Sequence, residues 1–91
     1  TNPDPAGKVP AIEKAVGRRD LSVVPQLVKD LDDEDPAVRF YAIYALRELT
    51  GEEFGYRYFY DRDQRKPYVL RWNQWLAKWQ AERPAEQSPK K

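Results

Sequence analysis

An all-α fold organised around one helical hairpin is what this chain predicts, and three features predict it. Apolar residues recur at helical spacing in two neighbouring segments, first Val24, Leu27, Val28 and Leu31, then Val38, Ala42, Ala45, Leu46 and Leu49. Between them the acidic run Asp32 to Asp35 is followed at once by Pro36, a combination that stops one helix and starts another. A third periodic stretch near the C-terminal end carries all the tryptophans on one side. With 91 residues the chain makes one small domain, whose buried fraction is modest. Three Trp, three Phe and six Tyr offset that shortage of core, since full burial of one large side chain contributes roughly 1.5–3 kcal/mol.

The elements follow in order. Residues 1–7, TNPDPAG, have no apolar pattern and are expected to form a disordered leader. Residues 8–83 are expected to be a single helical domain, and the polar, proline-containing residues 84–91 a flexible tail. Val9, Ile12 and Val16 share one face of a short first helix, with Pro10 in its first turn and Gly17 near its end. Asp20 or Ser22 caps the next helix, which runs to about Leu31 with Pro25 early enough to cost little.

Negative charge is unfavourable at a helix C-terminus and favourable at an N-terminus, so the Asp32–Asp35 run marks a tight antiparallel turn. Asp35 is a good N-cap and Pro36 a good first residue of a helix reaching Leu49, and Gly51 supplies a left-handed stop. Between Gly51 and Asp63 alternation is poor and Gly55 interrupts it. A loop that packs down through its aromatics is predicted, with a strand as the alternative. The closing helix runs from about Gln64 to Glu82, capped by Asp63, with Pro67 in its first turn. Tyr68, Val69, Trp72, Trp75, Leu76 and Trp79 fall within an arc of roughly 120° and are expected to be core, Trp79 remaining partly exposed.

In the hairpin's second helix Ala42 and Ala45 are small enough to admit a close neighbour. The segment from Asp20 to Gly51 resembles a HEAT repeat of the short bacterial, PBS-lyase HEAT-like kind. The family pattern is matched by Leu31, Asp33, Asp35, Pro36, Val38 and Arg39, followed by Ala42, Ala45 and Leu46. The continuation through LTGEEFGY to the helix containing RWNQW is similar to the C-terminal ends of small bacterial HEAT-repeat proteins. What the resemblance implies is a HEAT-like α-α superhelix in which the Trp-rich helix is a terminal cap. It also implies protein–protein binding through stacked hairpins, with the second helix of each lining the concave side. Stacked repeats usually need about three units. Either the first helix and the Trp helix close both ends of a minimal stack, or the segment is one repeat of a longer array.

Several function classes are disfavoured by composition. Without Cys there is no disulfide scaffold, thiolate metal site or thiol catalysis; without His the usual general base near neutral pH and the commonest metal ligand are missing. Ser22 and Thr50 lie at helix ends, where capping explains them, and no activated nucleophile is assembled by any motif. A non-enzymatic protein without cofactor is expected. Asp32, Asp33, Glu34 and Asp35 lack the alternating ligand spacing, the loop Gly and the later Glu of a calcium loop. The formal net charge of +1 argues against binding driven by overall charge, and no apolar stretch approaches a membrane span. The first residue is Thr1 rather than Met, so a processed chain is expected, extracytoplasmic if a leader was removed.

Candidate binding residues lie away from the stacking face. Phe40, Tyr44 and Arg47 share the side opposite Val38, Ala42 and Ala45, with Tyr41 beside them. That side either packs within the domain or forms a groove for a partner, where Tyr and Arg are typical anchors. The expected contact set is Phe40, Tyr41, Tyr44 and Arg47 with Tyr56, Tyr58 and Arg62 from the adjoining loop. The interleaved aromatics and cations of residues 56–71 also fit single-stranded nucleic acid or another polyanion, the rival reading. A purely structural repeat of a larger array is the other, and it predicts self-association through Val9, Ile12 and Val16. Arg39 is assigned to structure, pairing with Asp33, with Asp35 or with a neighbouring repeat.

Overall fold

The computed structural model describes residues 5–82, so residues 1–4 of the expected leader and the expected tail lie outside the described residues. Within that range the chain is all-α: α1 (Pro5–Arg18), a 3₁₀ turn (Leu21–Val23), α2 (Val24–Asp30), α3 (Pro36–Thr50) and α4 (Arg62–Glu82). The alternative strand between α3 and α4 is not formed.

Helix α1 starts at Pro5, inside the stretch expected to be leader, because a proline needs no N–H partner in a first turn. Pro10 therefore lies inside the helix rather than at its start. It is solvent-exposed, the side on which one lost ladder bond costs least. Gly17 is still helical, and the stop falls on Arg19 at φ 55°. Arg19 N–H donates to the Val16 carbonyl and Asp20 N–H to the Ala15 carbonyl, both at 3.0 Å, the paired bonds of a Schellman closure.

Asp20, not Ser22, caps the following segment. Its Oδ1 accepts from the Ser22 N–H at 3.0 Å and the Ser22 hydroxyl at 2.6 Å. The Ser22 hydroxyl, then its N–H, hold the Asp20 carboxyl below its ordinary pKa. The acidic turn is organised the same way: Asp33 Oδ1 accepts from Asp35 N–H and Asp35 Oδ1 from Ala37 N–H, each at 2.8 Å. Gly51 closes α3 at φ 83°, as its position predicts. At α4 the cap is Asp61 rather than Asp63. Asp61 Oδ1 accepts from Gln64 N–H at 2.8 Å while Gln64 Oε1 accepts from Asp61 N–H at 3.0 Å, a reciprocal capping box that needs exactly this three-residue offset. Asp63 thus sits in the first turn, and Pro67 is interior.

Helix α1 lies along α3, α2 leans on α3, and α4 lies along α2. Helix α3 is thus the central element, with α1 and α2 against it and α4 against α2. Val24, Val28, Leu31, Ala42, Ala45 and Leu46 are completely buried between them, so the alanine positions do admit close neighbours. Of the Trp stripe only Trp72 is fully buried; Tyr68, Val69, Trp75, Leu76 and Trp79 are half-buried. All of them pack against the core, and Trp79 is partly exposed as expected; Tyr68, Val69, Trp75 and Leu76 keep more surface than expected because α4 has one principal helical neighbour where α3 has two.

Candidate protein-binding site

The loop between Gly51 and Asp61 has no regular hydrogen-bonded ladder, yet side chains hold its backbone along its length. Trp72 Nε1 donates to the Glu53 carbonyl at 3.2 Å. Arg39 Nε donates to the Tyr58 carbonyl at 2.9 Å, while its Nη1 reaches the Asp33 carbonyl at 2.6 Å. Arg65 Nη1 donates to the Tyr60 carbonyl at 3.1 Å, and its Nε pairs with Asp32 Oδ1 at 3.1 Å. Arg39 and Arg65 are both buried, at 8% and 5% exposure. Buried guanidinium groups with several acceptors are satisfied, and here they tie an irregular segment to two helices. Phe54 at φ 55° and Gly55 at φ 77° turn the chain sharply. The positive φ favours glycine at position 55, and a side chain there would also crowd the Tyr68 ring at 3.2 Å.

The pinned loop and the outer side of α3 enclose a notch of about 340 Å³. Phe40, Ile43, Tyr44 and Arg47 line it from α3, and Glu53, Tyr56, Arg57, Tyr58 and Phe59 from the loop. Its rings meet edge to face, Phe40 with Tyr58 at 5.2 Å and Tyr58 with Phe59 at 5.4 Å between centroids. Phe40 is 42% exposed and Phe59 65%. Glu53 lies between two cations, 3.7 Å from Arg47 and 3.4 Å from Arg57, and all three side chains are about half exposed. The arrangement offers apolar ring faces beside guanidinium donors whose charge one carboxylate only partly balances.

Five of the expected site residues, Phe40, Tyr44, Arg47, Tyr56 and Tyr58, therefore come together. Tyr41 lies edge-on to Phe40 at 5.0 Å and to Tyr44 at 6.4 Å, half-buried, supporting the rings without lining the notch. Tyr56 is a correction in role: it stands in the notch wall but is 1% exposed, its hydroxyl donating to the Leu31 carbonyl at 2.6 Å, so it offers a partner almost no surface. Burial pushes its phenol up to about 12. Arg62 is a second correction: as the first residue of α4 it turns back to the acidic turn, 3.9 Å from Glu34, and lines a separate groove with Asp32, Lys66 and Leu70.

Ile43, Arg57 and Phe59 were not expected in the site. No periodicity tells which ring of the Tyr56–Tyr60 run points inward, so the sequence reading took the buried Tyr56 for an exposed contact and left out Phe59. The segment 56–71 does not leave its cations unengaged: Arg57 meets Glu53, Arg62 meets Glu34, Arg65 meets Asp32, Lys66 lies 4.0 Å from Asp63, and Arg71 lies 4.8 Å over the Phe54 ring. Among the described residues no acidic, His or Cys group could hold a metal ion, and no helix is long and apolar enough to cross a membrane. Compared with family models, with curated proteins and with solved structures, the chain matches none of them.

Proposed function

We propose that this chain is a non-enzymatic protein-interaction module of HEAT-like type that holds a partner segment in the notch between α3 and the Gly51–Asp61 loop. The observation that carries this reading is the exposure of Phe40 and Phe59 beside Arg47 and Arg57 on a loop fixed from below by buried arginines. A rigid aromatic surface loses little entropy on binding, and aromatic and arginine side chains are the usual energetic anchors of interfaces. The partner chemistry it fits is an apolar side chain flanked by a carboxylate.

What supports the HEAT-like reading is the packing of α2 against α3 across the acidic turn and the complete burial of the α3 alanines. A polyanion is the less favoured ligand, because the cations of residues 56–71 already have carboxylate or ring partners. The test is capture from the source cell by the wild-type chain and by a Phe40→Ala, Phe59→Ala variant of equal thermal stability. Proteins retained by the first and lost by the second are expected. An unchanged set would refute the notch as the contact.

A further inference from the structure

Two arginines of the notch share one carboxylate, and neither is tightly bound by it. Glu53 Oε1 lies 3.7 Å from Arg47 Nη1 and 3.4 Å from Arg57 Nη1, beyond the roughly 2.7–2.9 Å of a charge-assisted bond. Each guanidinium carries several N–H donors in a planar fork that suits two carboxylate oxygens at once. Resting on the reading of the notch as the contact, the geometry points to its ligand class: an acidic linear segment of another protein, in which Asp or Glu stands beside an apolar residue. The partner's carboxylate enters between Arg47 and Arg57, and Glu53 is a built-in competitor for that place.

The structural part of Glu53 is its backbone. Its carbonyl accepts from Trp72 Nε1 at 3.2 Å and from the Tyr56 N–H at 3.0 Å, contacts to which the carboxylate adds nothing. The carboxylate is half exposed and can be drawn aside without disturbing either bond. Arg57 is steadied independently, because its Nη1 also donates to the Tyr56 carbonyl at 3.1 Å. Arg47 extends from the last turn of α3 with Glu53 as its counter-ion.

Charge and size together select the occupant. Arg47, Arg57 and Glu53 are the charged residues of the lining, which leaves one positive charge over and favours an anion. At about 340 Å³ the notch lies near the lower end of ligand pockets, roughly 300–1,000 Å³, so it takes one large side chain and its neighbour rather than a helix face. Phe40 and Phe59 supply the apolar contact beside the arginine pair. A nucleic-acid phosphate would meet the same arginines, but strand binding draws on several phosphate contacts and the notch has room for one anion.

The test pans a random peptide library on the full chain and on the Phe40→Ala, Phe59→Ala variant, then titrates the most enriched peptide by fluorescence anisotropy. Peptides with Asp or Glu next to an apolar residue are expected on the wild type alone. Glu53→Gln should bind the acidic peptide roughly two- to fivefold tighter, the range of one half-exposed ion pair. Glu53→Ala should show the same gain, and neither should gain for the peptide with Asn or Gln in place of its acid. Enriched peptides that need Phe40 and Phe59 but carry no acid, or Glu53 variants that bind the acidic peptide no tighter, would overturn the inference and leave the notch standing as the contact. A library that enriches nothing, or peptides indifferent to the loss of both phenylalanines, would remove the notch and the inference together. Oligodeoxythymidine that displaces the peptide at a lower concentration than unlabelled peptide does would overturn it in favour of phosphate.

Discussion

Helices α3 and α4 are the two longest in the hairpin and its closure, and their fates are opposite. Helix α3 spans 15 residues and buries Val38, Arg39, Ala42, Ile43, Ala45, Leu46 and Leu49. Helix α4 spans 21 residues, holds every tryptophan, and buries only Arg65 and Trp72. Tryptophan content alone would rank them the other way. Burial is decided by the number of neighbours: α3 is flanked by α1 and α2, whereas α4 rests on α2 and the loop. Small residues on α3 let two helices approach, and large rings on α4 reach across to one.

Substitution tests how sharp that contrast is. The largest effect is expected at Trp72, which is 0% exposed: Trp72→Ala should cost about 3–5 kcal/mol in urea denaturation. Half-buried Trp79, changed the same way, should cost well under half of that, and equal losses would erase the distinction drawn within α4.

The loop joining the two helices belongs with the packed half through Tyr56. Its phenol is raised from 10.0 to about 12, chiefly by burial, so the folded state favours the neutral form. The associated stability is fully present below pH 10 and is lost as pH rises through about 12. It amounts to on the order of 2–3 kcal/mol. Chemical denaturation of the wild type and Tyr56→Phe across that range should show the gap between them closing. A constant gap would mean the hydroxyl is not buried in solution.

A smaller contrast lies between two alanines. Ala45→Leu enters a site with no exposure and should cost about 1–3 kcal/mol by overpacking. On α4 Ala77 is exposed, and Ala77→Leu should stay within about 0.5 kcal/mol of wild type.

Local chemistry was the most legible part of the molecule. Asp35, Pro36 and Gly51 cap, start and stop α3 where their residue types place them, because each acts on backbone groups within one turn. The same reasoning chose Asp63 over Asp61 for α4, since both are acidic residues before a helix and only the bond to Gln64 separates them. In the candidate site, Phe40, Tyr44 and Arg47 share a face of one helix and periodicity groups them. Tyr56 and Arg65 depend on partners 25 and 33 residues away, Leu31 and Asp32, and no local pattern contains that information.

What the amino-acid order determined by itself is the helical class, the hairpin turn and the side of α3 that packs. These rest on spacing along one backbone and on hydrogen bonds between near neighbours. The tertiary structure alone decided which aromatic of the loop is buried, where the arginines anchor, and how much of the Trp stripe stays uncovered. Those outcomes depend on how many elements converge on a given surface, a quantity set by distant segments meeting in space.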